Sequence, residues 1–268
     1  MTTAGAGESA FADRYGPWAL VAGASEGIGA AFATKLAARG LDLVLVARRP
    51  EPLAALAARL PTRVVTVAAD LSTEDGLTAV GHATDGKHVG LVVANAAYSP
   101  IGPFLTADPA RSVRALDLNC RAPLLLAHRY LPAMAARGRG GLIIMSSLAG
   151  QQGSPGIATY AATKAFGTVL AEGLWAELRP AGVDVLACLA GAVATPNLAQ
   201  AMATRAPGTV SPEAVVVAAL RALGRRPRTV PGGVSRLSGA IMSRLLPRRT
   251  AIHVIARASR DLIDQTRR

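Results

Sequence analysis

Trp18-Ala19-Leu20-Val21-Ala22-Gly23-Ala24-Ser25-Glu26-Gly27-Ile28-Gly29 is the stretch that decides how this chain is read. Its first five residues are an unbroken apolar run of strand length. Ala30 to Arg39 is alanine-rich, with Phe32 and Leu36 at helical spacing, so the glycines fall in a strand-to-helix turn. At such a turn Gly23 supplies the tight bend, Gly27 lets the backbone approach a pyrophosphate, and Gly29 lets helix pack on strand. The unpaired N–H groups at the helix start favour an anion. Ser25 and Ile28 belong to the same candidate dinucleotide-binding turn. The spacing is G-x-x-x-G-x-G rather than G-x-G-x-x-G, and alone it is a weak signal, because three glycines are also a common way to begin a helix.

Working outward, apolar runs alternate with helical stretches along the chain. Leu41 to Val46 reads as a second strand, ending in Ala47-Arg48-Arg49. At this strand end, roughly 20 residues past the glycines, an acidic residue would bind the adenosine ribose hydroxyls and repel a 2′-phosphate. Arginine stands there instead. Arg48, with Arg49 as a helper, can make a forked, charge-assisted contact to that phosphate, so NADPH is expected over NADH. Arg63 to Ala68 reads as a third strand leading to Asp70-Leu71, and Val89 to Val93 as a fourth leading to Asn95. Leu142 to Met145 is a fifth, ending in Ser146-Ser147, and Val183 to Cys188 a sixth. The expectation is one α/β domain over residues 1–268, a doubly wound, Rossmann-like parallel sheet.

Tyr160-Ala161-Ala162-Thr163-Lys164 follows well over a hundred residues after the glycine turn. On the helix read from Tyr160 to Leu178, Tyr160 and Lys164 lie one turn apart on one face and aim at a common site. With the glycine spacing, Asn119 and Ser147, the pattern resembles the short-chain dehydrogenase/reductase family over roughly Trp18 to Ala222. In that family a serine thirteen residues before the tyrosine is catalytic, which selects Ser147 over its neighbour Ser146, and Asn119 matches the fourth member of the tetrad. The resemblance implies that Tyr160 passes a proton to the substrate oxygen and that Ser147 donates a hydrogen bond to it. It also implies that Lys164 supplies a nearby charge while holding the nicotinamide ribose, and that Asn119 holds a water linking Lys164 to solvent. A free phenol has a pKa of about 10, so a close positive charge is expected to ease proton exchange near neutral pH.

The same resemblance places adenine at Asp70 and Leu71, a steadying turn at Asn95, and a contact to the nicotinamide amide or pyrophosphate at Thr195, with Val193 in the same loop. Ala22 replaces the usual Thr, Ala94 and Ala97 flank Asn95 where Asn and Gly are usual, and Ala190 replaces a Pro before Gly191. Tyr15 to Val21 and Ser211-Pro212-Glu213 look similar to the branch containing 3-ketoacyl-CoA reductases and 17β-hydroxysteroid dehydrogenases.

Lys and Arg number 29 against 17 Asp and Glu, a formal net charge of +12 that invites a nucleic-acid reading. Lysine occurs only at positions 35, 87 and 164, the arginines are scattered, and no nucleic-acid motif accompanies them, so no such partner is expected. Cys120 and Cys188 lack metal spacing and read as free buried thiols in a reducing cytoplasm; the four histidines form no metal pattern. No spanning segment is found, and Met1 to Ser9 reads as a loose polar arm. Residues 196–249 are expected to form a substrate lid and a C-terminal helical extension. In it Arg236 to Arg249 reads as an amphipathic helix with Leu237, Ile241, Met242, Leu245 and Leu246 on one face. Closing over substrate or against a neighbouring subunit is its leading reading, beside an interfacial membrane helix and a plain solvated helix.

The expectation is therefore an NADPH-dependent reductase acting on a ketone or 3-oxoacyl group of a lipophilic substrate, as a homodimer or homotetramer. An NAD(P)-dependent alcohol or hydroxysteroid dehydrogenase working oxidatively is the alternative. A non-catalytic dinucleotide-binding protein is the reading from another class, and it has no use for an acid aligned with a cationic helper.

Overall fold

The computed structural model describes residues 4–195, 208–242 and 246–258. Strands β1 (Trp18–Ala22), β2 (Asp42–Ala47), β3 (Val64–Ala68), β4 (Val89–Ala94), β5 (Gly140–Ser147), β6 (Val183–Ala190) and β7 (Arg228–Thr229) form one parallel sheet in the order β3-β2-β1-β4-β5-β6-β7. The near-continuous apolar strands are what a parallel sheet covered on both faces requires: β1, β4 and β6 are buried at every position. The order reverses between β1 and β4, and open α/β sheets bind ligands outside the carboxyl ends of the strands at such a reversal.

Ten helices are described: α1 (Ala4–Tyr15), α2 (Gly27–Ala37), α3 (Pro50–Ala57), α4 (Glu74–Ala83), α5 (Pro109–Leu116), α6 (Ala122–Ala136), α7 (Ala158–Leu178), α8 (Pro212–Ala222), α9 (Gly233–Ala240) and α10 (Arg248–Ala258). Their starts carry the expected chemistry, with Thr73, Asp108 and Ser211 each accepting a backbone N–H of the first turn. Phe32 and Leu36 of α2, Leu53 of α3 and Val215 of α8 are fully buried on one face of the sheet. Each such side chain contributes roughly 1.5–3 kcal/mol by leaving water. Leu126 and Met134 of α6 and Ala171 of α7 pack the other face.

Four expectations change. The loose arm of Met1 to Ser9 is helical from Ala4 onward, because the helix is anchored further along by Phe11 and Tyr15 packing into the core. The lid of 196–249 divides. Residues 196–207 and 243–245, Leu245 among them, lie outside the described residues, while α8 is an integral layer of the core packed against α2. The single helix over Arg236 to Arg249 is also interrupted: α9 ends at Ala240, and α10 starts at Arg248 after Pro247, which cannot continue a helix. Cys188 is buried as expected, whereas Cys120 is half-buried.

Candidate active site

The glycine turn is held from both sides. Gly23 and Ala24 donate their N–H groups to the Val46 carbonyl at 2.7 and 3.0 Å, tying the turn to β2. Gly23 has φ of 74°, and a Cβ there would stand 2.8 Å from the Ala96 Cα, so both conformation and space demand glycine. A Cβ at Gly29 would run into the Gly23 carbonyl oxygen, which is the close helix-to-strand packing read from the sequence. Asn95 donates from Nδ2 to that same carbonyl at 3.0 Å. Asn95 is thus a brace between the ends of β1 and β4 rather than an ordinary turn residue.

The turn opens into a cleft of about 490 Å³, a size usual for small-molecule sites. Gly23, Ser25, Gly27, Ile28, Arg48, Arg49, Asp70, Leu71, Asn95 and Thr195 line it. Gly29 lies behind the turn, and the Val193 side chain is in the core, its segment paired with Val210. The two arginines differ in their neighbours. Arg49 pairs with Glu26 at 2.7 Å across the cleft mouth, while Arg48 is exposed and its guanidinium makes no ion pair among the described residues. Asp70 accepts from Ser72 and from Arg114 Nη2 at 2.9 Å; these contacts, with the charge of Arg48, outweigh burial and hold its carboxyl below the usual range.

Tyr160 and Lys164 do not line that cleft; they stand beside it, at the end of β5. Register decides between the two serines. Ser146 is buried and turned to α7, bonding the Lys164 carbonyl and Thr168 Oγ1, both at 2.7 Å. Ser147 projects oppositely; its Oγ accepts from the Ala149 N–H at 3.2 Å and lies near enough to Tyr160 to favour the phenolate. Lys164 is buried on α7 and donates from Nζ to the Met145 carbonyl at 2.9 Å, with Nζ 5.6 Å from the Tyr160 ring centre.

The protonation directions correct one expectation. Burial pushes the Lys164 ammonium down to about 8, opposed by the nearby Cys120. Burial also pushes the Tyr160 phenol above its ordinary value, with the Ser147 hydrogen bond opposing it. Desolvation sets the direction at Tyr160, with no opposing contribution from the Lys164 charge, and the phenol stays protonated at neutral pH.

Asn119 sits in a π-helical turn, Asp117–Arg121, inserted between α5 and α6. Such turns mark functional sites because the widened ladder redirects backbone groups. The Asn119 side chain is committed: Oδ1 accepts from the Tyr98 N–H, and Nδ2 donates to the Tyr98 carbonyl and to Thr163 Oγ1, at 2.8 to 2.9 Å. Thr163 in turn donates to the Tyr160 carbonyl at 2.8 Å. Sequence reading missed Thr163, Tyr98 and Arg114. Thr163 carries a local signal, lying between Tyr160 and Lys164, whereas the contacts of Tyr98 and Arg114 are long-range.

Among the described residues there is no cluster able to hold a metal, and no helix is long and apolar enough to cross a membrane. The family model for short chain dehydrogenases matches residues 17–206. The chain is similar to a very-long-chain 3-oxoacyl-CoA reductase of Coprinopsis cinerea, 34% identical over 65% of this chain and 53% of the relative. It is also similar to the 7β-hydroxysteroid dehydrogenase of Clostridium sardiniense, 34% identical over 65% of this chain and 68% of that protein. It thus spans about half the length of the 3-oxoacyl-CoA reductases it matches. A solved 7β-hydroxysteroid dehydrogenase superposes with a TM-score of 0.86 at 28% identity, covering 91% of this chain and 98% of the other. A short-chain dehydrogenase from Sphingobium yanoikuyae in complex with NADPH superposes at 0.72 with 34% identity, over 80% and 87%.

Proposed function

This chain belongs to the short-chain dehydrogenase family, and from that premise we propose that it is an NADPH-dependent reductase of a ketone or 3-oxoacyl group on a lipophilic substrate. The observation that carries the reading is the placing of Tyr160 beside Ser147 at the end of β5 with Lys164 buried behind it and donating to the Met145 carbonyl, next to the glycine-turn cleft. The family binds NAD(P), and the cleft fits it: Gly23 and Gly27 keep the turn clear of side chains, the start of α2 offers N–H groups to a pyrophosphate, and Arg48 lies where a 2′-phosphate would be met. When bound, the dinucleotide supplies the hydride. Tyr160 then holds the proton that the carbonyl oxygen needs, and Ser147 shares that oxygen by a hydrogen bond as negative charge grows on it. The Lys164 charge favours the phenolate that Tyr160 becomes.

Val113, Leu116, Phe166 and Val169 are exposed on α5 and α7. This apolar surface supports a homodimer or homotetramer, which sizing chromatography reads directly.

A screen of lipophilic ketones followed by NADPH absorbance tests the reading; no turnover of any carbonyl would defeat it. Arg48 sets the cofactor. A charge-assisted contact is worth about 1.5–3 kcal/mol, so NADPH should bind roughly ten- to a hundredfold tighter than NADH, and Arg48→Ala should erase the difference. Equal affinities in the wild type would refute the role given to Arg48.

A further inference from the structure

Behind the glycine turn lies a second cavity, of about 850 Å³ against about 490 Å³ for the cofactor cleft. Its floor is one face of α2: Gly27, Ala30, Ala31, Thr34, Lys35 and Ala38 recur at the three- and four-residue spacing of a single helical stripe. An outward-facing stripe ordinarily carries charged and long polar side chains. Here Lys35 is the one charged residue from Gly27 to Ala38, and the small side chains leave a trough along the helix. Over that span the helix axis advances about 16 Å. The trough lies on the face of the sheet covered by α2, α3 and α8, opposite the face that carries α7 with Tyr160 and Lys164.

The walls are apolar and the ends are not. Leu56 and Leu60, from α3 and the turn after it, form one wall, and Val216 and Val217 of α8 the other. In a parallel sheet each connecting helix runs back from the carboxyl ends of the strands to their amino ends. The starts of α2 and α8 therefore lie together, with Pro212 and Glu213 at the Gly27 end, while Lys35 and Arg59 lie toward the opposite end. Neither of these cations makes an ion pair among the described residues, whereas Arg49 and Arg63 are paired with Glu26 and Asp42. Thr34, Lys35, Ala38, Arg59 and Glu213 are exposed, so the trough is open to solvent and a ligand reaches it directly. Its volume falls within the roughly 300–1,000 Å³ of small-molecule sites.

We propose that this trough is a second ligand site, separate from the catalytic one, which takes a single-chain anionic amphiphile with its tail along α2 and its head at the Lys35 and Arg59 end. The tail leaves water against Ala30, Ala31, Leu60 and Val217. Glu213 repels an anion at the end nearer the cofactor cleft, which fixes the direction of the chain. The two cations are exposed and each contributes weakly, so tail burial supplies most of the affinity and the head sets the preference for an anion.

The test titrates decanoate and decanol, matched in chain length, into the protein by calorimetry with NADPH in excess, so that the cofactor cleft is filled. Wild type should bind decanoate about 3- to 30-fold more tightly than decanol. The double variant Lys35→Glu/Arg59→Glu should bring that ratio to one or below. Thr34→Trp, which sets a large ring on the floor of the trough, should weaken both ligands by about tenfold or more. All three positions are exposed, so the variants keep the fold. Absence of decanoate binding in wild type overturns the inference, as does binding that both variants leave unchanged, which places the ligand elsewhere on the protein. Binding that responds to the charge reversal but not to Thr34→Trp also overturns it, by reducing the cations to an ordinary surface patch. A Thr34→Trp protein that elutes from a sizing column as a smaller assembly than wild type would show that a second copy of the chain, not an amphiphile, covers the trough.

Discussion

The two ends of the sheet each bury a charged residue next to a tyrosine, and they treat it in opposite ways. At the amino end of β6, Asp184 is 7% exposed and accepts from the Tyr15 hydroxyl at 2.7 Å and from Arg14 Nε at 2.6 Å. The charge is matched there. Burial first, and then the Asp184 hydrogen bond, hold the Tyr15 phenol above its ordinary range, and Asp184 raises the Arg14 guanidinium likewise, so neither exchanges a proton near neutral pH. At the carboxyl end, Lys164 Nζ donates to the Met145 carbonyl beside the Tyr160 ring and has no acidic partner among the described residues, and Tyr160 stands beside Ser147. A buried ion with its counter-ion clasps α1 to the sheet. A buried ion without one is held near its titration point and is available for proton chemistry.

The largest expected effect lies at the catalytic end. Tyr160→Phe keeps the ring but removes the proton, so turnover should fall on the order of 10²–10⁴-fold while NADPH titration stays near wild type. Near-normal turnover would mean that another group supplies the proton. The equivalent change at the other end, Tyr15→Phe, should leave kcat/KM unchanged.

Lys164 sharpens the contrast through pH. Its folded value of about 8 lies below the ordinary 10.5, so between those values the unfolded chain holds more protons. Stability from this group therefore rises with pH across that window. Lys164→Met should abolish the rise and gain up to about 3 kcal/mol at neutral pH, since each tenfold change in proton affinity is worth about 1.4 kcal/mol. Denaturant unfolding of both proteins from pH 7 to 10.5 checks this, and parallel slopes would contradict it. Carbonyl reduction should decline as pH rises through about 8, because Lys164 loses its charge while Tyr160 keeps its proton.

The smallest effect belongs to the clasp. Tyr15→Phe leaves Asp184 with Arg14 alone, and Arg14 is 45% exposed in its side chain. A hydrogen bond to a charged group is worth about 1.5–3 kcal/mol, so a loss of roughly 2 kcal/mol is expected, or about 4–8 °C in Tm. A change under about 0.5 kcal/mol would show that the clasp is solvated and that the two ends differ less than their geometry states.

Much of this was legible in the chain. The apolar run into Gly23, the strand ends at Arg48, Asn95 and Ser147, and the helical spacing of Tyr160 and Lys164 are local patterns of period and turn chemistry. Strand boundaries moved by only a residue or two, as at β2 and β5. What was misread is the N-terminal helix, the short edge strand β7, the division of the C-terminal helix, and several long-range partners. The polar start of α1 gave no sign that Phe11 and Tyr15 would anchor a helix, and the apolar stripe across Arg236 to Arg249 gave little weight to Pro247.

Sequence alone determined the doubly wound parallel sheet, the glycine turn and the pairing of Tyr160 with Lys164, because each rests on residues a few positions apart with fixed conformational preferences. Only the tertiary structure decided that Ser146 serves α7 while Ser147 meets Tyr160, that Arg49 is drawn to Glu26 while Arg48 is not, and that Asn119 spends its side chain on Tyr98 and Thr163. It also decided the direction in which Tyr160 titrates. These outcomes depend on which distant groups share one small, poorly hydrated space, and desolvation there exceeds any single neighbouring charge that spacing along the chain can reveal.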